Sequence, residues 1–272
     1  MMEKIRRNER MSAMMKLLSA SPNTIQTLGM FCELFGSAKS TMSEDIDLLR
    51  GVAERFGLGE IETVTGAAGG VRYRPVVSRE SARRTIRDLC HELSGSERLL
   101  PGGFLYYSDI LSTPGIVNRM GEILATEYYS AMPDFVLTME TKGIPVAFAT
   151  ANALGVPLVI ARHSSKVYEG SAVNINYVSG SGNIETMSLS RRAVKENQKA
   201  LIVDDFLKGG GTARGMIELM REFNVSVIGM AFVMSTVIPE KKRITGARSL
   251  MTLEVTGGET PEALVKPAEW LE

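Results

Sequence analysis

The sequence has little cysteine, and the two cysteines, Cys32 and Cys90, lie far apart without a C-x-x-C spacing. This pattern excludes a disulfide framework and argues against a structural metal, so we expect two reduced thiols inside a cell. No apolar run approaches the length of a membrane span, and no signal peptide precedes the fold. We therefore expect a cytoplasmic protein without a membrane partner.

Net charge is also missing, because 31 lysines and arginines balance 31 aspartates and glutamates. Such a chain has no global attraction to nucleic acid, so any DNA contact must be local. A chain of 272 residues has room for one large domain or two ordinary ones, and a change in the residue pattern near residue 77 favours two. We predict an N-terminal domain at 1–77 and a second domain at 78–272.

The first domain has the element order of a helix-turn-helix. Three segments with helical spacing of apolar residues are separated by residues 21–23 and by Gly36, with Thr24 as the expected cap of the second helix. Alternating segments on either side of the glycine-rich residues 66–70 then predict a hairpin. Three helices and a hairpin make a winged helix, which typically reads double-stranded DNA through its third helix.

Basic and short polar side chains mark where this domain would contact DNA. They occur in the N-terminal arm, at the start of the third helix and on the wing. The predicted contacts are Arg6, Arg7, Arg10, Ser37, Lys39, Ser40, Thr41 and Arg72. Glu44, Asp45 and Asp47 make the body of the third helix acidic, so we expect these acids to face away from DNA. A winged helix used only for protein interaction is an alternative that the basic arm disfavours.

The most informative stretch of the second domain is residues 200–212. An apolar run, typical of a strand in a parallel sheet, leads directly into Asp204 and Asp205, then Lys208, three glycines and a helical pattern. The glycines let successive N–H groups point at one anion near a helix N-terminus. Ionised carboxylates only accept hydrogen bonds, so the acid pair suits ribose hydroxyls beside a phosphate. The Walker pattern of nucleoside triphosphatases is absent.

This stretch resembles the phosphoribosyl pyrophosphate (PRPP) motif of type I phosphoribosyltransferases. The resemblance implies a parallel sheet flanked by helices, a flexible two-stranded flap between residues 163 and 187, and a diphosphate loop at Thr141, Lys142 and Gly143. A hydroxyl, an ammonium and an unshielded N–H suit a diphosphate. Phe206 is a candidate to stack on a nucleobase, or merely to pack. The implied ligand residues are Thr141, Lys142, Gly143, Asp204, Asp205, Phe206, Lys208, Gly209, Gly210, Gly211 and Thr212.

Over nearly its whole length the chain resembles the purine operon repressors of Gram-positive bacteria. The similarity is carried by residues 37–40, 43–45, 66–71, 100–103, 141–145, 173–182 and 203–206, and becomes hard to follow after Thr236. It implies an α/β chain in which a winged helix-turn-helix precedes a type I phosphoribosyltransferase fold.

The implied function is that of a non-catalytic homodimer that represses purine genes. It would bind operator DNA and be released by PRPP, with guanine nucleotides such as ppGpp competing for the same site. The resemblance assigns no catalytic residue, enzymatic cofactor or metal ligand, and it leaves open whether Mg²⁺ accompanies PRPP. An active purine phosphoribosyltransferase is the alternative, because such an enzyme has the same acid pair and phosphate loop. A salvage enzyme, however, has no use for a winged helix.

Overall fold

The computed structural model describes residues 5–66, 69–165, 170–179, 182–257 and 261–272. Two units divide the chain: Met1–Ser78 with Asn152–Gly155, and Arg79–Ala151 with Val156–Glu272. Within the described ranges, no helix combines the length and apolar character needed to cross a membrane. Of the sequence-defined wing tip and flap, Ala67, Ala68, Lys166, Tyr168, Glu169, Gly180 and Ser181 lie outside the described residues.

The first unit consists of three helices and a hairpin. The helices are α1 (Arg7–Ala20), α2 (Leu28–Phe35) and α3 (Lys39–Phe56), and the antiparallel strands are β1 (Glu60–Val64) and β2 (Gly70–Arg74). All five elements contribute apolar side chains to one core, which contains Met14, Leu18, Phe31, Phe35, Met42, Ile46, Leu49, Ala53, Ile61, Val71 and Tyr73. The winged helix predicted from the sequence is confirmed.

The second helix begins later than predicted. Thr27, not Thr24, caps α2: its hydroxyl accepts a hydrogen bond from the backbone N–H of Met30 at 3.2 Å. The prediction of Thr24 is wrong because the residues after it pair with the wing, where Gln26 and Val71 exchange two backbone hydrogen bonds of 2.8 Å. The chain is therefore held extended until Thr27, and the short bridge joins the helices to the hairpin.

The third helix follows a glycine turn and buries only part of its apolar side. Gly36 ends α2 in the left-handed conformation, with φ 59°, which glycine adopts without strain. Helical spacing predicts that Val52 and Phe56 continue the buried face of α3, but they are 41% and 64% exposed. Ala53, between them in the chain, is buried, so only one side of the last turns of α3 contributes to the core.

The second unit is built around one sheet. Its helices are α4 (Arg79–Leu93), α5 (Ser108–Leu111), α6 (Pro114–Thr126), α7 (Ile144–Leu154) and α8 (Gly211–Glu222), and its strands are β3 (Leu99–Leu100), β4 (Phe104–Leu105), β5 (Phe135–Met139), β6 (Leu158–Ala161), β7 (Ala172–Val178), β8 (Ile184–Ser190), β9 (Lys199–Leu207), β10 (Ser226–Thr236), β11 (Ala247–Val255) and β12 (Ala263–Pro267). Six strands form the sheet in the order β12-β11-β10-β9-β5-β6. All neighbours are parallel except β12, which runs antiparallel to β11.

Two smaller features complete this unit. Strands β7 and β8 pair as an antiparallel hairpin, which is the two-stranded flap expected from the sequence. The C-terminal segment is docked on the same unit: the Trp270 indole N–H donates to the carbonyl of Ser249 at 2.6 Å, and Arg79 and Arg83 donate to the carbonyls of Trp270 and Leu271. Two arginines of α4 thus hold the C-terminal segment through hydrogen bonds to its backbone.

The sheet has a switch point between β5 and β9. These strands are neighbours, but the chain continues from β5 to β6 on one side and from β9 to β10 on the other. The loops that follow two such strands diverge and leave a crevice at their carboxyl ends, where open α/β sheets hold ligands. Residues 140–143 follow β5 and residues 208–210 follow β9, so both sequence motifs of the second unit lie at this edge.

Candidate functional site

The acid pair lies inside β9, not after it as expected, because the strand continues to Leu207. Asp204 is 7% exposed, and its Oδ1 accepts a hydrogen bond from the backbone N–H of Asp205 at 2.9 Å. Burial, and then the charge of Asp205, raise the pKa of Asp204 well above the usual value of an aspartate. Asp205 is less buried. The two carboxylates therefore differ in exposure, and Asp205 is the one that a ligand could reach.

The loop after β5 packs directly against the acid pair. A Cβ on Gly143 would collide with Asp204 Oδ1 and would lie 2.6 Å from Thr138 Oγ1, so only glycine fits there. The Thr138 hydroxyl is buried and has no hydrogen-bond partner among the described residues. Thr141 and Lys142 are exposed at the tip. A ligand held by this loop would lie within reach of the acid pair.

The glycine loop after β9 shapes the start of α8. Gly210 has φ 79° and occupies the N-cap position, where it has no side chain to cap the first turn. The first N–H groups of α8 are thus left for another acceptor, such as a phosphate. A Cβ on Gly211 would collide with the carbonyl oxygen of Val178 in the flap. Thr212 is half-buried in the first turn of α8, so most of the groups that this part of the candidate site offers to an anion are backbone N–H groups.

A cavity of about 1060 Å³ opens beside these loops. Lys142, Phe206 and Lys208 line one side of it, and residues 100–108 and 253–255 contribute most of the rest. Ligand pockets for small molecules have volumes up to roughly this size. Gly209 has open space around it, since a Cβ there would meet nothing within 4 Å. The cavity is large enough for a nucleotide, and its lining contains two lysines together with several apolar and aromatic side chains.

Tyr107 belongs to this site, although the sequence reading gave it no role. Its hydroxyl donates to Asp205 Oδ2 at 2.6 Å, across a separation of 98 residues. Its ring lies 6.0 Å from the ring of Phe206, and Lys142 Nζ lies 5.1 Å from its centroid. Burial, followed by the charge of Asp205, raises the pKa of Tyr107, which therefore keeps its proton and remains a donor. Only its position in an aromatic run beside a glycine turn could have drawn attention to it.

The first unit presents a second candidate surface. Lys39 and Ser40 are exposed at the start of α3, whereas Ser37 and Thr41 are half-buried there. Among the described residues Lys39 has no ion-pair partner. Arg6 is exposed just before α1. These side chains remain compatible with contact to a nucleic-acid backbone.

Arg10 is not on that surface. Its side chain is 9% exposed and forms an ion pair with Asp45, which is fully buried, at 2.8 Å. Arg7 is half-exposed, but it pairs with Glu44 at 2.9 Å and lies 3.0 Å from Asp45 Oδ1. The expectation that Arg10 contacts DNA is therefore corrected, because a buried guanidinium paired with a carboxylate cannot leave without a large electrostatic cost. The acids of α3 are neutralised from within the unit.

The wing arginine is also paired. Arg72 Nε donates to Glu62 Oε2 at 2.7 Å across the hairpin. This hydrogen bond lowers the pKa of Glu62, with burial opposing it and the charges of Arg74 and Arg72 adding to the decrease. Arg72 still reaches the surface, with 22% of its side chain exposed. A DNA phosphate would have to share it with Glu62.

Comparisons with known proteins cover both units. Residues 6–75 match the family of the bacterial purine repressor N-terminal domain, and residues 107–266 match the phosphoribosyl transferase domain. The chain is 44% identical over 250 residues to the probable purine biosynthesis transcriptional regulator PurR of Streptococcus pneumoniae serotype 4, covering 91% of each. It is 42% identical over 251 residues to the purine biosynthesis transcriptional repressor PurR of Bacillus subtilis, covering 92% of this chain and 88% of that one.

One further relative and one solved structure are also similar to this chain. The purine biosynthesis transcriptional activator PurR of Lactococcus lactis subsp. lactis is 38% identical over 251 residues, covering 92% of this chain and 93% of the relative. The crystal structure of adenine phosphoribosyltransferase from Thermoanaerobacter pseudethanolicus, 22% identical, covers 61% of this chain and 99% of that chain with a TM-score of 0.54, which shows the fold of the second unit alone. By the length and identity of these matches, the chain belongs to the family of bacterial purine biosynthesis transcriptional regulators.

Proposed function

We propose that the chain represses purine genes by binding operator DNA, and that PRPP releases it. Residues 1–77 are the DNA-binding domain in this proposal, and residues 78–272 bind the effector. We propose repression and not activation because the relative in B. subtilis is named a repressor, although the relative in L. lactis is named an activator. A regulator that reads operator DNA in a bacterium works in the cytoplasm.

One arrangement supports the choice of effector: the accessible Asp205, the Gly143 loop and the uncapped start of α8 share one switch point. A carboxylate suits sugar hydroxyls, and the two backbone loops suit phosphate groups on either side of them. PRPP is a ribose with a diphosphate at one end and a phosphate at the other. Guanine nucleotides such as ppGpp offer the same groups plus a base, which Phe206 in the cavity wall could stack against.

Release by PRPP needs two states of the protein with different ligand preferences. PRPP relieves repression only to the extent that it binds the DNA-free state more tightly than the DNA-bound state. The same linkage lets ppGpp favour repression by excluding PRPP. In this proposal the regulator binds PRPP but does not catalyse the transfer of its phosphoribosyl group.

The experiment is a titration of PRPP into a complex of the protein with promoter DNA of a purine gene, followed by fluorescence anisotropy. We expect PRPP to release the DNA, and ppGpp to oppose that release, with and without Mg²⁺ as separate arms. The double variant Asp204→Ala/Asp205→Ala should bind the DNA normally and ignore PRPP. Loss of DNA binding in that variant, or a PRPP titration without effect on the wild type, would contradict the proposal.

Three controls separate the neighbouring possibilities. Rapid release of pyrophosphate from PRPP in the presence of a purine base would identify an active transferase. A reporter gene that falls in expression when the protein is deleted would indicate activation. The proposed homodimer is measured by sedimentation equilibrium, with a single species of twice the chain mass as the expected result.

A further inference from the structure

The hydrogen bond between Tyr107 and Asp205 is the feature of the second unit that the proposed function leaves unexplained. Tyr107 follows the two short strands β3 and β4, and its side chain is only 7% exposed. Its hydroxyl donates to Asp205 Oδ2 at 2.6 Å. A hydrogen bond from a hydroxyl to an ionised carboxylate is short and roughly twice as strong as one between neutral groups. Among the described residues, Tyr107 is the hydrogen-bond donor to this carboxylate.

The surroundings of the ring place Tyr107 among the ligand residues. Lys142, from the loop after β5, lies over one part of the ring, and Phe206, directly after the acid pair, lies beside it. Tyr107 also lines the large cavity. A single side chain therefore contacts Lys142 in the loop after β5 and both Asp205 and Phe206 near the carboxyl end of β9. Its position fixes the carboxylate relative to both.

We propose that Tyr107 is a positioning residue for the sugar-binding carboxylate. It holds Oδ2 of Asp205 and thereby presents Oδ1 to a hydroxyl of the bound ribose. Without Tyr107 the Asp205 side chain would sample several rotamers. Ligand binding would then have to fix this side chain, and the entropic cost would lower the affinity for the ligand. The inference rests on the proposed function, since it takes the ligand to be a phosphorylated ribose. It adds a residue outside the acid pair and its loops to that site.

A purely structural tyrosine would behave differently, and the same unit contains one. Tyr128 is buried to a similar degree, and its hydroxyl donates to the backbone carbonyl of Met230 at 3.2 Å. That carbonyl is not part of the candidate site. Tyr128→Phe therefore removes a buried hydroxyl and one hydrogen bond without touching the acid pair, and it is a matched control for Tyr107→Phe.

The test measures binding of PRPP and of inorganic pyrophosphate to the full chain and both variants. Isothermal titration gives the affinity for PRPP, and displacement of PRPP gives the affinity for pyrophosphate, which has no sugar. For Tyr107→Phe we expect about a tenfold loss of PRPP affinity, because binding must then immobilise the freed Asp205 side chain, and unchanged pyrophosphate affinity. Tyr128→Phe should leave both affinities unchanged. Melting temperatures of the two variants show whether the losses of stability are comparable.

The outcomes separate the inference from the function beneath it. Failure of the wild type to bind PRPP would remove the proposed function itself. Normal PRPP binding by the wild type and equal binding by Tyr107→Phe would overturn only the role of Tyr107. Parallel loss of PRPP and pyrophosphate binding in Tyr107→Phe, or an equal loss of PRPP binding in Tyr128→Phe, would show a structural role and would also overturn it.

Discussion

Arg10 Nη2 lies 2.8 Å from Asp45 Oδ2, and the two side chains are buried between α1 and α3. The same guanidinium donates through Nη1 to the carbonyl of Ile5 at 2.9 Å. A charge at the start of α1 thus neutralises a charge in the body of the third helix, and it also holds the residues just before α1. Together with the ion pairs of Arg7 to Glu44 and Asp45, this pair joins α1 to the predicted recognition helix.

Replacing Asp45 by Asn should destabilise the first unit strongly. The Arg10 charge would remain buried without its partner, and breaking a buried pair in this way costs about 3–5 kcal/mol. Urea unfolding at pH 7 measures the change. Asp47→Asn is the matched control, because Asp47 is two-thirds exposed and pairs with Arg50 on the surface, where such pairs contribute at most about 1 kcal/mol. Equal losses in the two variants would contradict a structural role for the buried pair.

Gly143→Ala should disable the effector site. The added Cβ would meet Asp204 Oδ1 and Thr138 Oγ1, so the loop after β5 must move away from the acid pair. Overpacking of this kind costs about 1–3 kcal/mol, and we expect PRPP affinity to fall at least about tenfold in a calorimetric titration. Gly115→Ala is the control, since Gly115 lies in α6 with open space around it. A normal PRPP affinity in Gly143→Ala would show that the loop adapts at little cost.

Local patterns in the sequence were sufficient to predict most elements. Helical spacing and Gly36 located the three helices of the first unit, and an apolar run located β9, although the strand continues two residues beyond the acid pair. These signals depend on a few neighbouring residues and on their intrinsic conformational preferences. The loop after β5 could also be identified, but only through its resemblance to a known motif. The contact of Gly143 with Asp204 then needed the structure.

Contacts between residues far apart in the chain could not be predicted. Tyr107 and Asp205 are separated by 98 residues, and Arg10 and Asp45 by 35. Nothing in the composition near either residue records its partner, because the pairing depends on the order of strands and on the packing of helices. For the same reason the sequence counted Arg10 as an exposed basic residue, although tertiary packing buries it. The cap at Thr27 was missed because a bridge to the wing delays the start of α2.

Asp204→Asn should stabilise the chain at neutral and basic pH. Burial raises the pKa of Asp204 in the folded state, so the folded chain retains a proton that the unfolded chain releases. The folding stability therefore falls as pH rises above about 3.8, the pKa of this aspartate in the unfolded chain. The loss of stability is complete once the pH exceeds the pKa of Asp204 in the folded chain. Asparagine does not titrate, and its Oδ1 can still accept from the N–H of Asp205. Melting temperatures at pH 3.5 and pH 8 should differ between variant and wild type only at the higher pH; a difference confined to pH 3.5 would contradict the burial effect.

Lys39→Ala should weaken operator binding without changing PRPP affinity. Lys39 is exposed at the start of α3, where an ammonium can reach a phosphate. Loss of one phosphate contact reduces the slope of log affinity against log salt concentration by about 1, which anisotropy at several salt concentrations measures. Lys16→Ala is the control. Lys16 is exposed on α1, so this substitution removes the same charge at a position away from the start of α3. Equal losses for both lysines would mean that net charge, and not a contact of the third helix, governs binding.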